Sequence, residues 1–127
     1  MSARESRKRD LVKCEDMRIH AERACQFMSN KTLKEFSADV MVQAAVVRCV
    51  EVIGEAARLV SSETREDAPM IPWTQIIGMR HVLVHDYGTV DLDKVYDVVT
   101  RHLPGLLSGM RELIRKLEQE VGWEDET

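Results

Sequence analysis

Apolar residues return every third or fourth position along most of the chain, the spacing that lines one face of a helix. Between about Arg7 and Ser29 the positions Leu11, Met17, Ala21, Ala24 and Met28 follow it and predict a long first helix, closed by Asn30 and Lys31. Thr32, Leu33, Lys34 and Glu35 have the spacing of a capping box, in which hydroxyl and carboxylate each satisfy the other residue's backbone N–H. A short helical turn is therefore expected before Asp39. From Val40 to Val60 the chain is apolar on most of its circumference, and Arg48, Glu51, Glu55 and Arg58 form one charged stripe at spacings of 3, 4 and 3 residues. A helix with so much apolar circumference needs cover on more than one side, which predicts a self-association surface and a homodimer.

Ser61 to Ile71 reads as a polar connection. Pro72 suits the first turn of a third helix, where its missing N–H has no partner to lose, and that helix is expected to run to about Tyr87 and stop at Gly88. Asp91 is placed to cap a fourth helix with Leu92, Val95, Tyr96, Val99 and Leu103 facing inward. Pro104 and Gly105 then read as a break before a fifth helix whose buried face is Leu106, Met110, Leu113, Ile114 and Leu117. The pattern predicts an all-α fold, an antiparallel bundle of about five helices, with one domain over residues 7–121. Residues 122–127 form an acidic tail in which only Trp123 is a candidate for packing.

Composition narrows this picture. Of the 127 residues 44% are hydrophobic and only 5% aromatic, so the core is aliphatic and a β-rich fold is disfavoured. Cys14, Cys25 and Cys49 lack paired CxxC spacing and sit among apolar neighbours, which points to free thiols in a reducing compartment rather than to disulfides or zinc. Neither a leader-like segment nor an apolar run of about 18 residues is visible, so a cytoplasmic protein is expected, with no membrane partner. The formal net charge of −4 argues against a generally basic, non-specific nucleic-acid binder and leaves room only for a local basic cleft. Arg4, Arg7, Lys8 and Arg9 make a basic patch that reads either as a solvated helix start or as a binding arm.

The chemistry concentrates between Met79 and Gly88, in the stretch MRHVLVHDYG. Arg80 offers a planar, permanently charged fork that matches phosphate oxygens, and His85 can give or take a proton near neutral pH. Together they supply charge stabilisation and general acid/base help, which suffice for phosphodiester cleavage when RNA provides its own 2′-hydroxyl as nucleophile. In an ideal helix the two residues differ by roughly 140° and about 7.5 Å of rise, so convergence needs a distorted helix end or a second copy of the chain. The same residues also read as a salt bridge to Asp86 with a carbonyl-capping histidine, and the charged stripe as a solvated face or a cleft lining. His20 and His102 have no partner pattern and read as structural.

Arginine, four residues, histidine, one residue, tyrosine is the arrangement of Arg80, His85 and Tyr87, and with it the chain resembles the HEPN superfamily, specifically its HepT-like ribonuclease toxins. The segments VIGEAARLV (Val52–Val60), IPWTQIIGMRHVLVHDYG (Ile71–Gly88) and VDLDKVYDVV (Val90–Val99) carry the likeness across the helical domain. The resemblance implies a HEPN-like homodimer with the motif in a cleft near its axis, and metal-independent RNA cleavage without a cofactor. It makes Arg80 and His85 the catalytic residues. It also implies a partner, a minimal nucleotidyltransferase antitoxin that silences the toxin by adding AMP to Tyr87. His81 stands where asparagine is more familiar, and an imidazole can titrate where an amide only hydrogen-bonds. His81, Glu55 and Asp86 are supporting candidates, with Glu55 expected to pair with Arg80. The rival reading is a non-catalytic HEPN-type dimeric binding module that accompanies a nucleotidyltransferase.

Overall fold

The computed structural model describes residues 2–82 and 89–122, and all regular elements within them are helical. The first helix, α1, spans Ala3–Met28, four residues longer at its start than the apolar spacing implies, because the Ser2 side chain caps it by accepting from the Glu5 N–H. Asn30, at φ 60°, supplies the left-handed turn that ends the run. The capping box forms as expected: the Thr32 N–H donates to the Glu35 carboxylate at 2.9 Å, the Glu35 N–H donates to the Thr32 hydroxyl at 3.1 Å, and α2 is Leu33–Ser37. Asp39 caps α3, Val40–Leu59, by accepting from the Val42 N–H at 3.1 Å.

The connection after α3 is more ordered than its polarity suggests. Ser61 caps a short helix α4, Ser62–Glu66, whose Thr64 is fully buried. What holds it is Asp10 on α1, itself 2% exposed, which accepts from the Ser61 N–H at 2.9 Å, the Ser61 hydroxyl at 2.6 Å and the Thr64 hydroxyl at 2.5 Å. Arg7, one turn earlier, donates to Thr64 Oγ1 and pairs with Glu63, Asp67 and Glu120, while Arg4 donates to the Val121 carbonyl. Arg4 and Arg7 in the N-terminal basic patch are therefore neither a bare solvated helix start nor a binding arm. They tie the first turns of α1 to α4 and to the end of the last helix.

After Gly78 comes a one-turn helix, so the third helix is not continuous. It is split into α5, Trp73–Ile77, and α6, Met79–Val82. Its expected extension to Tyr87 and Gly88 lies outside the described residues. Asp91 caps α7, Leu92–Asp97, as expected. Pro104 does not break the chain. A π-helical turn at Val98–His102 widens the backbone, the Leu103 N–H bonds the Val98 carbonyl, and α8 follows directly as Leu103–Val121 with Pro104 in its first turn. A proline costs a helix its N–H bond only where that bond is needed, and in a first turn it is not. The expected Trp123 packing lies outside the described residues.

The core is aliphatic. Met17, Ala21 and Ala24 of α1 meet Val46, Val50 and Ile53 of α3, while Met110, Leu113 and Leu117 of α8 close the other side. The start of α1 lies beside the ends of both α3 and α8, through the Asp10–Ser61 and Arg4–Val121 bonds, so both helices run antiparallel to it. The middle of α3 is covered by its own chain, through α1, α2, α5, α6 and α7. Its strongly exposed apolar residues lie at the ends, Val40 and Met41 at one and Leu59 at the other. The apolar circumference that suggested self-association is thus largely satisfied within one molecule.

The three cysteines are free thiols, with Cys14 and Cys49 buried and Cys25 half-buried. Burial, helped by the nearby charges of Asp10 and Glu15, pushes the Cys14 thiol from 9.0 up to about 12. Because the folded protein holds this proton more tightly than the unfolded chain, the associated stability is complete below pH 9 and lost as pH rises from there toward 12. The same shift lowers the native thiolate fraction about 10³-fold. Alkylation at pH 8 followed by mass spectrometry is expected to spare Cys14 in the folded protein and to modify it readily in urea.

Candidate active site

The segment that carries Arg80 is positioned by a close backbone approach. A Cβ added to Gly54, in the second half of α3, would stand 3.1 Å from the Ile76 carbonyl oxygen and 3.8 Å from that of Ile77. A side chain at this position would have to push the last turn of α5 back by a few tenths of an ångström. Ile76 and Met79 are buried against the core on either side of Gly78, and the Trp73 indole N–H donates to the Ala68 carbonyl at 3.0 Å, fixing the entry to α5. Gly78 ends α5 with its N–H on the Thr74 carbonyl, and the chain restarts as α6 with the His81 N–H on the Gly78 carbonyl. Gly54→Val is expected to cost about 2 kcal/mol of stability through overpacking. It should also impair activity beyond that loss by shifting α6, which a thermal melt alongside a cleavage assay would show.

Arg80 and His81 both belong to α6, and His81 is exposed. Convergence of Arg80 and His85 through a distorted helix end or a second copy of the chain lies outside the described residues, while among the described residues the helix is interrupted at Gly78, two residues before Arg80. His85, Asp86 and Tyr87 lie outside the described residues, as does the expected Glu55–Arg80 pairing. Glu55 takes two bonds from Arg58 on its own helix, the shorter 2.5 Å, and its charge raises the Arg58 pKa further.

Two concavities are formed by the described residues. The charged stripe of α3 lines the smaller, a groove of about 450 Å³ between α1 and α3 in which Arg48, Glu51 and Glu55 face Lys13 and Asp16. Three of the four stripe residues thus line a cleft. The larger, about 1370 Å³, opens between α5–α6 and α8. Its floor includes Ile76, Met79 and Leu106, and its rim includes Arg101, Arg111 and Arg115. Periodicity did not reveal it, because its walls are residues some 30 positions apart that share no pattern. His20 bonds the Asp16 carbonyl at 2.8 Å and is structural, whereas His102 is exposed on the rim beside Asp97.

A family model described as Ribonuclease HepT-like matches residues 17–113, from the second half of α1 through most of α8 and across the whole Arg80–Tyr87 motif. The chain belongs to the HepT-like family of the HEPN superfamily. Among curated proteins it is 35% identical over 92 residues to the candidate RNase MJ1216 of Methanocaldococcus jannaschii, covering 72% of this chain and 76% of that one. It is 33% identical over 91 residues to the Probable ribonuclease HepT of Thermococcus cleftensis, covering 72% and 82%. To the candidate RNase TTE0752 of Caldanaerobacter subterraneus it is 30% identical over 101 residues, covering 76% and 90%. No solved structure matches significantly. The all-α architecture described above is the HEPN-like bundle that the sequence motifs imply. Among the described residues no helix is long and apolar enough to cross a membrane.

Proposed function

We propose that this HepT-like chain is a metal-independent endoribonuclease, the toxin of a toxin–antitoxin pair, with residues 7–121 acting as one catalytic domain in a homodimer. The observation that carries the reading is an arginine, histidine and tyrosine motif with the family's spacing, complete within the matched region. Arg80 holds the scissile phosphate and stabilises the charge that builds on its oxygens. His85 handles the proton: the 2′-oxygen forms a bond to phosphorus as its proton leaves, the bond to the 5′-oxygen breaks, and that oxygen is protonated. The products are a 2′,3′-cyclic phosphate and a 5′-hydroxyl. His81, Glu55 and Asp86 support the site by orienting these groups. Purified protein incubated with defined RNAs in chelator, with the product ends analysed, tests this. Binding without cleavage would identify a non-catalytic module instead.

Tyr87 is the proposed switch. A partner nucleotidyltransferase would join the tyrosine oxygen to the α-phosphorus of ATP and release pyrophosphate. Each added AMP brings a phosphate and a nucleotide close to Arg80, where the guanidinium that would hold the RNA phosphate holds the modification instead. Tyr87→Phe is accordingly expected to keep ribonuclease activity and to escape silencing when nucleotidyltransferase and ATP are supplied. AMP-sized mass additions that persist in Tyr87→Phe would place the modification elsewhere.

A further inference from the structure

We infer that the groove between α5–α6 and α8 is the path along which a single RNA strand lies on its way to Arg80, an assignment that rests on the ribonuclease reading of the motif. The position of the groove is the first argument. Gly78 and Met79 are part of its wall, and Arg80 follows them directly in α6. Charge is the second. The chain as a whole is acidic, yet Arg101, Arg111 and Arg115 stand along this rim with Glu112 as the one carboxylate among the described lining residues. From Arg101 to Arg115 the helical rise amounts to about 20 Å, enough for several consecutive nucleotides.

The bonds these arginines make suit exchange for phosphate. Arg101 reaches Asp97 at 3.3 Å, Arg111 reaches Glu22 at 3.5 Å and Arg115 reaches Glu112 at 2.6 Å. All three side chains are more than half exposed, so their ion pairs are solvent-screened and easily traded for a polyanion. The floor is mainly apolar, formed by Ile76, Met79 and Leu106, and offers dry surface to base and ribose while the rim takes phosphates. A second copy of this chain is the competing occupant of the groove, and solution mass distinguishes it.

The test is binding of labelled single-stranded RNA to the full chain carrying His85→Ala, so that substrate persists, followed over a range of salt. Arg101→Gln with Arg115→Gln is the informative pair, because both residues bond only within their own helical stretch and the fold does not depend on them. Loss of two phosphate contacts is expected to weaken binding on the order of 10- to 30-fold at 0.1 M salt and to flatten the logarithmic salt slope by about 1.4. Lys34→Gln with Lys94→Gln removes the same charge from exposed positions elsewhere and is expected to change binding less than about threefold. Equal weakening by both pairs, or by neither, overturns the assignment. So does a halved solution mass in the arginine pair, which would make the groove a contact between copies. Because binding is read directly, the result stands whether or not the wild type cleaves RNA, and absence of cleavage counts only against the ribonuclease reading.

Discussion

Asp10→Ala is expected to lower stability by about 3 kcal/mol and the melting temperature by 10 °C or more, a large effect for a charged residue on a first helix. The Asp10 carboxylate accepts three bonds from Ser61 and Thr64 at 2% exposure, and the Thr64 hydroxyl it receives also accepts from Arg7. Truncation leaves the Ser61 N–H and the Ser61 and Thr64 hydroxyls short of an acceptor in a place water reaches poorly. A lost hydrogen bond costs little on balance, whereas a donor left buried without a partner bears its full desolvation cost. Thr64→Val, which removes the relay and keeps the charge, is expected to cost about half as much. Urea titration of the three proteins checks the order, and an Asp10→Ala protein as stable as wild type would show that α4 is held by packing alone.

That network also marks where the sequence stopped being readable. Capping residues were legible because their chemistry is local: Thr32 with Glu35, and Asp91, cap as expected. The face of α8 was legible because its five apolar positions repeat with the helical period, and all five are buried. Helix α4 was not. Its order comes from Asp10, some 50 positions earlier, and nothing in Ser61–Glu66 alone distinguishes a docked turn from a polar linker. The break at Gly78 was hidden because its neighbours Ile76 and Met79 are both buried, so the apolar pattern runs on through it while the backbone does not. Pro104 misled in the opposite direction, since a π-helical turn absorbed it. In the candidate site the motif was visible as spacing, while the grooves beside it depend on helices that only the fold brings together.

The second large effect concerns the motif itself. His85→Ala is expected to reduce RNA cleavage about 10²- to 10⁴-fold, the usual range for removing a positioned acid/base group. Arg80→Ala is expected to reduce it about 10²- to 10³-fold through lost charge stabilisation at the phosphate. Two residues acting on one phosphate and one proton transfer should not be additive, so the double variant is expected to fall little below His85→Ala alone. The helical content and melting temperature of the variants are expected to match wild type.

The measurement that bears most directly on this account is the single-turnover rate of RNA cleavage in chelator by wild type and by His85→Ala, with both proteins shown to be folded and to bind the RNA equally. The account predicts wild-type cleavage to 2′,3′-cyclic phosphate ends and at least a 10²-fold slower rate in the variant. Equal rates in the two folded proteins, or tight RNA binding by wild type with no cleavage, would contradict it.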